Sequence, residues 1–167
     1  NASRADLPAT LRSNPTYRKA NPSDAPVIIL ALTSRTRSPG QIYEANSVML
    51  SAALDAAGAI VDRIPAVADE EGAHRAALER ALAADVVVSS GGVSVGPHDL
   101  VRRVAQELGV DEVFWRVAVK PGKPVSFGTR GATLVFGLPG NPVSTLVGFE
   151  LFVRPALRAL EGERDPG

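Results

Sequence analysis

The sequence predicts an α/β domain, a three-layer sandwich with a mainly parallel sheet between helices. Three observations lead there. Short apolar runs rich in β-branched residues alternate along the chain with segments of helical spacing, the pattern of strand–helix–strand units. Glycine-rich turns at Ser89–Gly96 and Gly137–Ser144 each join such a run to a helix. No apolar run reaches membrane-spanning length, and the run Val143–Val153 is interrupted by Ser144, Thr145 and Glu150.

The elements follow in order. Residues 1–25 are polar and broken by prolines, without periodicity, and read as an irregular arm or linker; the domain is expected over 26–162, with 163–167 as a tail. Val27–Leu32 is a continuous apolar run, the first buried strand. Asn46–Ala57 is a helix stopped by Gly58, and Ala59–Ile64 is the second strand. Glu71–Ala84 is a helix with Ala77, Leu78, Ala81 and Leu82 inward. Val86–Ser89 is the third strand, and Leu100–Leu108 is a helix closed by Gly109. Val113–Val119 reads as a strand, and Val125–Gly128 with Thr133–Phe136 as a hairpin about Arg130-Gly131. The last helix, Pro142–Leu160, should bend near Pro155, where an interior backbone hydrogen bond is lost.

Composition narrows the function classes. The chain has 167 residues, a size suited to one domain, and is 45% hydrophobic and 22% charged. Eighteen basic and eighteen acidic residues give a net charge of zero, which argues against a nucleic-acid partner. The absence of cysteine excludes disulfides and thiolate metal sites, and two histidines, His74 and His98, make a histidine-based metal site unpromising. The first residues lack an apolar signal core, so the expected location is cytoplasmic, with no membrane association. The chain starts at Asn1 and not Met, which points to a fragment, a processed product or part of a longer chain.

The chemistry concentrates in three segments. The turn after Val88 brings Gly91, Gly92 and Ser94 to a helix start, where backbone N–H groups suit a phosphate. In isolation such a turn is as well explained by glycines that relieve strain in a tight connection. The segment Trp115–Pro124 adds the cations Arg116, Lys120 and Lys123 beside two rigid prolines; solvated charge is the plainer account of the lysines. On a strand Arg116 and Lys120 would share a face. In the turn Gly137–Ser144, Asn141 suits the helix N-cap and Pro142 the first helical position. Asp69 and Asp99 follow strand-end turns, and each is equally a cap or first-turn residue. Phe114, Trp115 and Phe136 read as core, and His98 as exposed. Ligands of parallel α/β sheets bind outside the carboxyl ends of the strands, so the loops after Thr33, near Asp69, at Gly91 and at Leu138 could converge on one rim.

SGGVSVG followed by Asp99, then WRVAVKPGKP, then GLPGNPVS, resembles in residues and order the molybdopterin-binding domain of the MoeA and gephyrin E-domain family. Gly40–Asn46 also resembles that family's GQIYD-x-N segment, and the likeness runs from about Val27 to Gly162. The resemblance implies a molybdopterin-binding fold of the MoaB/MogA type. It implies molybdenum cofactor biosynthesis: molybdate inserted into adenylylated molybdopterin, with AMP released. It implies Asp69, Asp99 and Lys120 as catalytic residues, with Asp69 and Asp99 as ligands to Mg²⁺. Gly91, Gly92, Ser94, Arg116, Lys123, Pro139, Asn141, Pro142 and Ser144 would bind the pterin substrate and molybdate. The family's acidic pair after the first strand is missing: Thr33–Pro39 carries Arg35 and Arg37 instead. The family's other domains are absent from this chain, and a homo-oligomer or a larger chain would supply them. That departure leaves enzyme activity open and keeps two alternatives: a pterin- or nucleotide-binding module without turnover, and an adenylyltransferase-like domain. Gly92-Val93-Ser94 in place of the Gly-Thr-Gly usual in that sister activity disfavours the latter.

Overall fold

The computed structural model describes residues 27–33, 43–67, 70–91 and 100–162, with backbone alone for 27–33, 43–45 and 66. The arm of residues 1–25, the tail of 163–167, and Asp69, Gly92, Ser94, His98 and Asp99 lie outside them. Twelve elements follow in order: β1 (Val27–Thr33), α1 (Tyr43–Ala56), β2 (Ile60–Val67), α2 (Glu71–Ala81), β3 (Val86–Ser90), α3 (Leu100–Glu107), β4 (Asp111–Trp115), β5 (Ser126–Arg130), β6 (Thr133–Leu138), α4 (Pro142–Gly148), a π turn (Phe149–Val153) and α5 (Arg154–Leu160).

The six strands form one sheet in the order β2-β1-β3-β6-β5-β4. β2, β1, β3 and β6 run parallel, and β5 and β4 continue the sheet antiparallel. The buried β-branched run Val86–Val88 forces β3 to the centre, because both of its faces need cover. Val86 and Val88 face one layer with Leu50, Leu54, Phe149, Leu157 and Leu160, so α1 and the C-terminal helices cover that side. Val87 faces the other layer with Leu78, Ala81, Val101 and Val104, from α2 and α3. Period two in the strand and period 3.6 in the helices thus meet in a three-layer sandwich.

Two expectations are corrected. The strand expected over Val113–Val119 ends at Trp115. Arg116 adopts a left-handed φ of 68°, which no strand residue can hold, and the chain leaves the sheet there. Val117 packs against the core from the loop that follows, so its apolar character reflects packing and not a pleat. The argument that Arg116 and Lys120 share a strand face therefore fails.

The last helix does break, but before Pro155. The chain widens into the π turn Phe149–Val153, where Arg154 N–H donates to Phe149 O, and Pro155 then sits in the first turn of α5. In a first turn the missing proline N–H costs no intrahelical bond.

Candidate functional site

The site is built by strand direction. β1, β2, β3 and β6 are parallel, so their carboxyl ends share one rim; the registers pair Thr33 with Val67, Leu32 with Ser90, and Ser90 with Leu138. β4 lies antiparallel to β5, which lies antiparallel to β6, so β4 also ends at this rim, where Trp115 pairs with Ser126 and Ser126 with Gly137. The connections after β3, β4 and β6 therefore emerge side by side. The strand order also reverses between β1 and β3, the switch point where α/β sheets open a crevice.

The turns after β3 and β6 touch. Gly91 N–H donates to Leu138 O at 2.9 Å, and a Cβ on Gly140 would lie 3.6 Å from Gly91 Cα. Gly91 holds a φ of +86°, which a glycine adopts without the steric cost a side chain would add. Its own N–H is committed to the turn, so Gly91 shapes the rim without donating from its backbone. Asn141 accepts from Ser144 N–H at 3.2 Å, and Pro142 opens the helix, as the sequence led one to expect. Thr145, fully buried, donates to Pro139 O at 2.5 Å and lies 2.9 Å from Asn141 O.

One residue joins these turns that sequence reasoning left without a role. Asn46, in α1, is only 9% exposed. Its Nδ2 donates to Ser90 Oγ and to Gly140 O, both at 2.9 Å, and the Ser90 hydroxyl passes the chain on to Pro139 O at 3.3 Å. Among the described residues Asn46 Oδ1 has no partner. An unmade buried hydrogen bond of this kind costs about 1–3 kcal/mol. The signal was present in the sequence: Asn46, Leu50 and Leu54 fall at helical spacing on one inward stripe, and Asn46 is its one polar member.

The cationic loop approaches from the next connection. Residues 116–125 fold back on themselves, with Arg116 N–H donating to Val125 O at 2.9 Å and Val117 N–H to Lys123 O at 3.0 Å. The Lys120–Pro121 peptide is cis and Gly122 is buried. A Cβ on Gly122 would lie 3.8 Å from Ser144 O and 3.8 Å from Val147 Cγ1, which seats the loop against the first turns of α4. Lys120 and Lys123 flank this contact, exposed, and neither forms an ion pair among the described residues. Arg116 stacks its guanidinium on the Trp115 ring at 4.2 Å, while Arg102 covers the ring at 4.0 Å and pairs with Glu112. Trp115 is thus a half-buried platform between two cations and not a core aromatic; Phe136 is buried, and Phe114 packs on Phe127 and Phe152.

Of the expected site residues, Gly91, Pro139, Asn141, Pro142 and Ser144 belong to the two touching turns, with Lys120 and Lys123 on the adjoining loop. Arg116 stands at that loop's root. At the start of α2 the N-cap is Glu70, whose side chain makes no capping bond. Among the described residues no group of three His, Asp or Glu is placed to hold a metal ion. No described helix is long and apolar enough to cross a membrane.

A separate, open cleft lies on the α2–α3 side of the sheet among Val101, Ala105, Gln106, Phe127, Val135 and Gly137. Its one lining cation, Arg102, is already paired with Glu112. An apolar cleft without a free cation is poorly suited to a phosphate.

Comparison with known proteins shows the family and the fold. The chain is 43% identical over 143 residues to molybdopterin molybdenumtransferase 2 of Mycobacterium tuberculosis, an alignment covering 82% of this chain and 35% of the relative. It therefore spans about a third of that relative's length. Among solved structures, the molybdopterin biosynthesis MoeA protein of Pyrococcus horikoshii superposes with a TM-score of 0.71 at 33% identity, over 83% of this chain and 36% of that one. The tungsten cofactor synthesizing protein MoaB of Pyrococcus furiosus superposes with a TM-score of 0.65 at 18% identity, over 84% of this chain and 98% of that one, and shows the shared fold. Residues 29–159 match the family described as a probable molybdopterin binding domain, and the chain belongs to that family.

Proposed function

We propose that the rim formed by the Gly91 turn, the Gly140 turn and the 116–125 loop binds the phosphate end of a molybdopterin-type substrate. The chain then serves as the pterin-binding part of a molybdopterin molybdenumtransferase, which inserts molybdate into adenylylated molybdopterin and releases AMP. The observation that carries this reading is the meeting of two glycine turns beside two exposed lysines that form no ion pair among the described residues. Substrate and molybdate are both anionic, and Lys120 and Lys123 offset that charge. Arg116, fixed on Trp115, adds a third cation with little freedom left to lose. Pro139, Asn141, Pro142 and Ser144 form the wall against which the ligand rests. Gly92 and Ser94 complete the phosphate cradle, and Asp69 and Asp99 supply the carboxylates for the reaction or for Mg²⁺. A homo-oligomer or the rest of a longer chain completes the enzyme.

A second reading follows from one feature of the sequence. Between Thr33 and Pro39 there is no carboxylate, and Arg35 and Arg37 stand in the segment. On this reading the chain binds the pterin without turning it over.

Calorimetric titration with molybdopterin tests the site. A charge-assisted hydrogen bond to phosphate contributes about 1.5–3 kcal/mol, so Lys120→Ala weakens binding by roughly 10-fold or more. Unchanged affinity in that variant removes Lys120 from the site. Adding molybdate to the adenylylated pterin tests the second reading: little AMP release from this chain alone is expected on either reading, since the first needs a homo-oligomer or a longer chain to complete the enzyme, and rapid release overturns the second.

A further inference from the structure

We infer that Asn46 is a positioning residue: it latches the β3 and β6 turns together and so sets the spacing of the phosphate-facing rim. The inference rests on the reading of that rim as the pterin site.

The argument starts from hydrogen-bond accounting. Both Nδ2 protons of Asn46 are spent, one on Ser90 Oγ and one on Gly140 O. The amide orientation is fixed by these partners, since the opposite orientation would set Oδ1 against the Gly140 carbonyl, acceptor against acceptor. Asn46 thus pins the last residue of β3 and the turn after β6 to α1. Among the described residues, the other contacts between these strand ends and turns include the Ser90 Oγ to Pro139 O bond, the Gly91 N–H to Leu138 O bond and the close approach of Gly91 to Gly140.

The position is a poor one for an asparagine on grounds of stability alone. Leu50 and Leu54, one and two turns along the same stripe, are fully buried, and an apolar residue at 46 would extend them. The structure instead holds a carboxamide whose oxygen has no partner among the described residues. That is the signature of a polar group kept for what it holds in place.

The Gly91 amide reports on the latch directly, because its acceptor is on the other turn. In the ligand-free chain, Asn46→Ala should speed hydrogen exchange at Gly91 at least about 10-fold while Val87, at the centre of the sheet, keeps its rate. Titration of the same variant with molybdopterin should show binding weakened by roughly 10-fold. Asn46→Asp gives a second reading. Ionised, its carboxylate faces the Gly140 carbonyl and cannot donate. Protonated, it donates again, so its affinity relative to wild type should recover as the pH falls from about 7 towards 5.

Unchanged exchange at Gly91 overturns the latch. So does acceleration of Gly91 and Val87 together, which would show a general loss of stability, or an Asn46→Asp variant whose relative affinity ignores pH. If the wild-type chain fails to bind molybdopterin, the pterin reading of the rim falls, and the exchange rates still decide whether Asn46 couples the turns.

Discussion

Replacing Gly128 by alanine tests the register that carries the cationic loop. Gly128 is buried in β5 opposite Glu112 of β4, beside the register shift between Glu112 and Phe114. A Cβ placed there lies 2.8 Å from Asp111 O and 2.8 Å from Val110 Cγ1. Contact between carbon atoms is comfortable at about 3.5 Å, so the neighbours must retreat by roughly 0.7 Å. One of them is backbone, which moves only with its strand. Overpacking of this kind costs about 1–3 kcal/mol, and the reduced freedom of the unfolded chain returns about 0.4–1. The net destabilisation is about 1–2 kcal/mol, or a fall of roughly 2–8 °C in Tm for a domain of this size. Thermal unfolding followed by circular dichroism measures it. Because β4 runs directly into residues 116–125, the variant should also bind molybdopterin more weakly than its stability loss explains. Gly72→Ala is the control: no atom lies within 4 Å of its Cβ, and in α2 the change should be neutral or stabilising. A Gly128→Ala chain that unfolds at or above the wild-type temperature refutes the close packing of β4 on β5.

The other expectations are simpler. Phe149→Ala, at a fully buried ring in the π turn, should lose about 3–5 kcal/mol in urea unfolding, because the cavity cannot collapse between α1 and the sheet. Thr145→Val keeps the shape but removes the donor to Pro139 O; the expected loss is about 1 kcal/mol, with pterin affinity also reduced. Arg154, by hydrogen-bonding its carboxylate, lowers the pKa of Glu150, so this pair adds stability above the unfolded-state value that is lost as the pH falls through the lowered folded-state value. The pair is exposed and its contribution small; Glu150→Gln should flatten that part of the acid unfolding curve, and an unaltered curve contradicts the assignment.

The parts of the fold that were legible are those where local chemistry and packing agree. Val86–Val88 reads as a buried strand because both faces of β3 are covered. Asn141-Pro142 reads as a helix start because the cap and the proline act within one turn. Val117 and Val119 misled, because a loop that packs on the core uses the same residues as a strand; the deciding fact, a left-handed Arg116, leaves no mark on composition. Pro155 announced an irregular helix but not its kind, since the π turn lies in the residues before it. At the site, glycines and cations were visible as types and the rim as a convergence of strand ends, while the direct contact of the Gly91 and Gly140 turns was not. That contact joins residues far apart in the chain through sheet order, and with it came Asn46, whose role exists only once β3 and β6 are neighbours.

The most direct measurement is a crystal structure of this chain with molybdopterin bound. The expected result is the phosphate at the rim between the Gly91 and Gly140 turns, within about 3 Å of Lys120 Nζ. Density for the pterin in the apolar cleft among Val101, Gln106 and Gly137, with the rim empty, would contradict the account.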